Sequence, residues 1–245
     1  MRKTFLTICM LAIVLLPYVS KAADVNTLTV SGAGKIERKP DIAFVTVYVI
    51  GDGILMTDTA KRAKEKADSI EKALRTNHKN IKTINVTDIQ IGEKRNEMWG
   101  PEMKKDPARP EMTKRIRITI APDMDLALNI IDTAIREGAV MKAPSNVQFG
   151  GEVDTVIVFG LTESDSLADE VRKKAFEDAK VKAEKVSTLT GRKLGRISSV
   201  GCSGGDVEQQ IYTFGRKENY PTKYISVDPS HVEVTASVSV TFELQ

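Results

Sequence analysis

Gly201-Cys202-Ser203-Gly204-Gly205 satisfies the pattern G-x-S-x-G, and Asp228 and His231 follow it in the order used by one class of serine hydrolases. That chemistry needs the serine on a sharp turn from strand to helix. An acid-oriented histidine must converge on its hydroxyl, and backbone N–H groups must receive the oxyanion. A strand precedes Ser203, but a polar, glycine-rich loop follows it in place of a helix. His231 opens the last strand on its polar phase, and no segment resembles an oxyanion loop. The pattern therefore reads as a glycine-rich exit from a strand, and a Ser203-dependent hydrolase is the third of three functional readings.

Other reactive side chains are sparse. Cys202 is a candidate redox thiol, yet the only other cysteine, Cys9, belongs to an N-terminal leader, so nothing remains to resolve a sulfenic acid. A strand-end residue accounts for it, with an intermolecular disulfide as the alternative. His78 and His231 lie far apart without ligand-like neighbours and read as solvated surface residues. Gly32-Ala33-Gly34 lacks the third glycine of a dinucleotide cradle and leads to a strand, so it reads as a tight turn. Trp99, in a charged stretch with prolines, fits either a contact hot spot or a loop anchor. No residue is assigned a catalytic, cofactor-binding or metal-binding role, and no cofactor is expected.

The leader is residues 1–22. Arg2 and Lys3 form a basic start, Phe5 to Leu16 an apolar run, and Ser20-Lys21-Ala22 a small-x-small site, which together predict a signal peptide cleaved after Ala22. The apolar run falls short of the ~20 residues that span a bilayer. Cys9 sits inside the run after Ile8, which does not fit a lipoprotein. The chain holds 36 Lys and Arg against 33 Asp and Glu, and the leader takes away Arg2, Lys3 and Lys21. What remains is formally neutral, which gives no support to a nucleic-acid partner. The expected location is periplasmic or secreted, with peripheral membrane or envelope association possible.

The elements follow from periodicity. Leu28 to Ser31 reads as a short strand ending at the glycine turn. Ile42 to Ile50 is apolar on both phases, as in a central strand, and ends at Gly51-Asp52-Gly53. A helix over 57–76 faces inward with Ala60, Ala63, Ala67, Ile70 and Leu74. The strand over 81–91 changes apolar phase, which predicts a bulge near Thr87-Asp88. Residues 92–112 read as a long loop, 114–120 as an alternating strand and 123–136 as a helix. Two strands over 145–149 and 153–160 join at Gly150-Gly151. A long helix over 164–190, capped by Thr162 and stopped at Gly191, carries an alanine-rich stripe that includes Ala175, Ala179 and Ala183. A strand over 195–201, a loop over 203–229 and a faultlessly alternating strand over 232–244 complete the chain.

This order predicts an α+β fold with two α/β sandwich subdomains. A discontinuous ββα…αββ outer domain, 24–80 plus 161–245, receives an inserted β-β-α-β-β middle domain, 81–160. The two alanine-striped helices are expected side by side on one sheet, in which Val232–Leu244 joins Ile42–Ile50.

VSGAGKIERKPDIAFVTVYV resembles the Val-Ser-Gly-x-Gly, Lys-Pro-Asp-x-Ala opening of SIMPL-domain proteins. FGLTESDSLADEVRKKAFEDAKVKAEKVSTLTGRKLG is similar to that family's long helix, and VTASVSVTFEL to its last strand. The resemblance covers nearly the whole chain after the leader. It implies a periplasmic or secreted protein of the group containing YggE and the periplasmic immunogenic proteins. It further implies a two-part α+β fold, ring- or channel-like homo-oligomers in some members, a link to oxidative stress in others, and no catalytic residues. The first reading is thus a non-enzymatic, self-assembling envelope protein. The second is a binding module for a small ligand or peptide at the subdomain junction.

Overall fold

The computed structural model describes residues 26–94, 109–141, 156–162, 165–204, 212–213, 216–217 and 219–245. The leader, Trp99, and the strand and hairpin expected at 145–151 lie outside the described residues. In chain order the elements are β1 (Thr27–Arg38), β2 (Ile42–Asp52), α1 (Met56–Asn77), β3 (Thr83–Lys94), β4 (Arg109–Ile120), α2 (Met124–Arg136) and β5 (Ile157–Gly160). There follow α3 (Asp165–Thr190), β6 (Leu194–Gly204), β7 (Tyr212–Thr213), β8 (Arg216–Lys217), β9 (Ile225–Ser226) and β10 (Val232–Leu244). The class is α+β, with an antiparallel sheet β1-β10-β6 that carries α3 and an antiparallel sheet β3-β4-β2-β5-β9 that carries α1 and α2; β7 and β8 form a small ribbon.

The three-stranded sheet is built on alternation. Val232, Val234, Ala236, Val238, Val240 and Phe242 of β10 point to one face and are buried, while Thr235, Ser237 and Ser239 point to the other and are exposed. α3 covers the buried face with Val171, Ala175, Ala179 and Ala183. It lies so close to β1 that a Cβ placed on Gly32 would come within 2.0 Å of the Ala175 carbonyl oxygen, and one on Gly34 within 2.2 Å of that of Val171. Helix and strand thus meet backbone to backbone, which alanine on one side and glycine on the other permit. α3 ends at Gly191, whose φ of 65° is left-handed. The Gly191 N–H donates to the Thr188 carbonyl at 3.2 Å and the Arg192 N–H to that of Ser187 at 3.0 Å, a Schellman closure.

The five-stranded sheet has β2 at its centre, buried on both faces as its sequence predicts. Ala43, Val45, Val47 and Val49 face α1 and α2 together with Ile116, Ile118 and Ile120 of β4. α2 starts at Asp123, whose side chain accepts the Leu126 N–H at 3.0 Å. The register of β3 on β4 slips between Val86 and Asp88, which is the expected bulge. On the other face, the Arg117 guanidinium donates to the Asn219 carbonyl at 2.5 Å and lies 4.2 Å from the Tyr220 ring centroid. Tyr220 in turn packs on Phe44 at 5.3 Å. This pins the stretch from 219 to β9 across the sheet.

Several expectations are corrected. Val232–Leu244 pairs with β1 and β6 and not with the sheet containing Ile42–Ile50, so α1 and α3 rest on different sheets. Alternation states which face of a strand is buried but not which strand lies beside it. Gly32-Ala33-Gly34 is no turn; β1 runs straight through it, because its twelve-residue register with β10 holds the glycines extended beneath α3. β3 and β4 extend into the stretch expected as loop, with Gly92 opposite Glu111 and Lys94 opposite Arg109. β6 continues to Gly204. Beyond these corrections, the Thr162 hydroxyl donates to Asp41 Oδ2 at 2.6 Å and its N–H to Asp41 Oδ1 at 2.8 Å, joining the start of β2 to the entry of α3.

Gly32→Ala is expected to cost about 3 kcal/mol, because backbone on both sides must shift. Gly92→Ala, which meets nothing within 4 Å, is expected to change stability by no more than about 0.5 kcal/mol. Urea denaturation of the two variants checks this; equal midpoints would contradict the backbone contact.

Candidate functional site

Ser203 lies inside β6, opposite Ser237 of β10, with the two Oγ atoms 2.6 Å apart. His231 stands just before β10, six residues from Ser237, which at a rise of about 3.3 Å per residue puts it ~20 Å from the serine pair. Its Nδ1 is 2.9 Å from Ser230 Oγ and 3.3 Å from Asp228 Oδ2. Asp228 also accepts from the Ser230 hydroxyl and N–H, and these bonds hold its carboxyl below the usual aspartate range. Asp228 and His231 therefore do come together, but in a local turn at the surface, while Ser203 is elsewhere. The fold does not assemble the triad order suggested by the sequence.

What surrounds Ser203 is the polar face of the three-stranded sheet, on which no described helix lies. Ala33, Gly34, Lys35, Ser203, Thr235, Ala236 and Ser237 line an open groove of about 650 Å³ there. Thr29 and Thr241 join hydroxyls at 3.0 Å farther along the same face. Charges sit toward the ends: Lys35 Nζ lies 2.6 Å from Glu233 and 3.0 Å from Glu37, and Arg196 lies 2.8 Å from Glu243. The hydrogen bonds to Glu233 and then Glu37 raise the Lys35 pKa, whereas a lysine base near Ser203 would need it lowered. Among the described residues, the face presents short hydroxyls, Thr235, Ser237, Ser239 and Ser203 among them.

The two long edges of this sheet differ. Along β1, the Ala33 N–H donates to Asp178 Oδ2 at 2.8 Å, the Ser31 carbonyl accepts from Lys182 at 3.2 Å, and the Glu37 carbonyl accepts from Arg38 at 3.2 Å. Asp178 and Lys182 are themselves 2.6 Å apart on α3. Three of the backbone groups that another strand would use are thereby occupied. Along β6, Cys202 is exposed at the opposite edge.

The other candidates resolve individually. His78 is not merely solvated: its Nε2 is 2.9 Å from Thr133 Oγ1, joining the end of α1 to α2. Among the described residues, no group of three or more His, Cys, Asp or Glu side chains could hold a metal, and no helix is long and apolar enough to cross a membrane. The junction between the two sheets is packed by Ile36, Leu161, Leu167, Val171, Tyr224, Val232, Val234 and Ala236. Sequence reasoning missed the Arg117–Tyr220 clamp; the one available sign was Arg117 beside Arg115 on the polar phase of β4, with no partner named until the chain folds.

The sequence model of the SIMPL family, described as a protein of unknown function (DUF541), matches residues 28–242, from β1 into β10 and across both sheets. The chain belongs to the SIMPL family. Comparison with curated proteins returned no match. The stretches that carry the family likeness have structural work to do: Gly32 and Gly34 seat α3, and Asp41 holds Thr162. The chain is thus a SIMPL-type protein whose family description assigns no activity.

Asp178 gives a pH prediction. Its bonds to Lys182 and to the Ala33 N–H lower its pKa. A carboxylate lowered in the folded state contributes stability that is present above its unfolded value and lost as pH falls through the folded one. The Ala33 amide shift should therefore titrate with a midpoint below the usual aspartate value. A midpoint at or above it, read by NMR, would contradict the β1–α3 link.

Proposed function

We propose that this SIMPL-type chain is a non-enzymatic envelope protein, exported with cleavage after Ala22, that self-assembles into a homo-oligomer. The observation that carries the reading is the three-stranded sheet, which among the described residues has a helix on one face, a bare hydroxyl-rich face on the other and unequally protected edges. Unprotected sheet edges and uncovered faces are where further chains add. The alanine-rich helix and faultless last strand serve as scaffold for that sheet. A part in envelope or oxidative stress is what the family resemblance implies. The separation of Ser203 from His231 favours assembly over hydrolysis.

Light scattering after size exclusion of the exported protein is expected to give a multiple of the single-chain mass, and intact mass spectrometry a chain beginning at Ala23. A single-chain mass across micromolar concentrations would sink the assembly reading. Ser203→Ala is expected to leave any esterase rate of the preparation unchanged; a loss of activity with the fold intact would revive the hydrolase.

A further inference from the structure

The edges of the two sheets are not equal. β1 is guarded by Asp178, Lys182 and Arg38. β3, at one end of the five-stranded sheet, is bulged between Val86 and Asp88 and carries Asp88 and Glu93. β9, at the other end, is two residues long. Charges, bulges and brevity are the usual ways in which proteins keep edges from pairing.

β6 has none of these over Ser199–Gly204, where its register on β10 is regular. From Ile197 to Gly204 it carries no charged side chain. The bonds of β1 to α3 fix the phase: Ala33 directs its N–H away from β10, so Ser237 opposite it directs its backbone groups to Ser203. By the same alternation, Val200, Cys202 and Gly204 direct their N–H and C=O outward. These groups meet no partner among the described residues. Ile197 and Val200, on the α3 side of the sheet, are 43% and 48% exposed because α3 lies mainly over β1 and β10.

We infer that β6 is a strand-addition edge whose occupant is β6 of a second copy, paired antiparallel across a two-fold axis near Cys202. An antiparallel edge is self-complementary under such an axis, since each outward N–H meets an outward C=O of its mate. A head-to-tail pairing of β6 onto β1 is opposed by the guarded β1 edge. The uncharged stretch brings no like charges face to face. Two three-stranded sheets become one six-stranded sheet, with both bare hydroxyl faces on the same side and the two Cys202 residues close together. This rests on the assembly reading above and names its contact.

The test uses the exported full chain. Proline is compatible with an edge position whose N–H points outward, so Val200→Pro should leave the fold intact while removing a donor from the contact. Cys202→Lys places two ammonium groups together at the axis. Expected results are a twofold or greater drop in light-scattering mass for each variant with an unchanged circular dichroism spectrum. A short bifunctional thiol reagent should convert the parent chain, and not Val200→Pro, to a double-mass band. If the parent is oligomeric and both variants keep its mass, the β6 contact is wrong while assembly stands. If the parent is a single chain, both fall. Should Val200→Pro fail to fold, the Cys202→Lys mass and the cross-link of the parent decide.

Discussion

The backbone contact between α3 and β1 is the constraint on which the three-stranded unit depends. A Cβ at Gly32 or Gly34 would overlap the helix main chain, so the helix can reach its seat only where strand side chains are missing, and it does so with Val171, Ala175 and Ala179 facing the glycines. Once seated, α3 does two further things. It buries the apolar phase of β10, and it extends Asp178 and Lys182 over the edge of β1. A helix held farther off by larger residues would reach neither as well. The unequal edges of the sheet thus follow from the same close approach.

The two sheets are joined by a small number of specific contacts. Asp41, at the turn from β1 to β2, accepts both the hydroxyl and the N–H of Thr162 at the turn from β5 to α3. The Leu161 N–H donates to the Tyr224 carbonyl at 3.1 Å, and Tyr224 is buried with Ile36, Val171 and Val232. From Tyr220 to β9 the chain then covers the face of the five-stranded sheet opposite α1 and α2. The chain passes from one sheet to the other at both places, and buried contacts reinforce each passage. Among the described residues, that leaves the outer face and β6 edge of the smaller sheet without a covering element.

Much of this was legible residue by residue. The two-phase apolar run of Ile42–Ile50 predicts a central strand, and β2 is one. The phase change across Thr87-Asp88 predicts a bulge, and the register slips there. Gly191 and Gly138 stop helices with φ of 65° and 91°. The candidate site was less legible. G-x-S-x-G describes local spacing, whereas a triad needs convergence in space, and the straightness of β10 keeps Ser203 and His231 apart. Gly32-Ala33-Gly34 misled for a related reason: glycine favours turns in isolation, and only α3 gives an extended glycine pair its purpose.

By itself, the sequence determined the helices and most strands, their buried and wet faces, the α+β class and the likeness to the SIMPL family, since each depends on local pattern. Tertiary structure decided which strands are neighbours. It divided β1 from β2 between two sheets, placed α1 and α3 on different ones, and left β6 open while guarding β1. Strand alternation has a period of two whichever partner is present, so it specifies a face and leaves the partner undetermined. Partners are chosen by the packing of distant segments, here by alanine on one element meeting glycine on another.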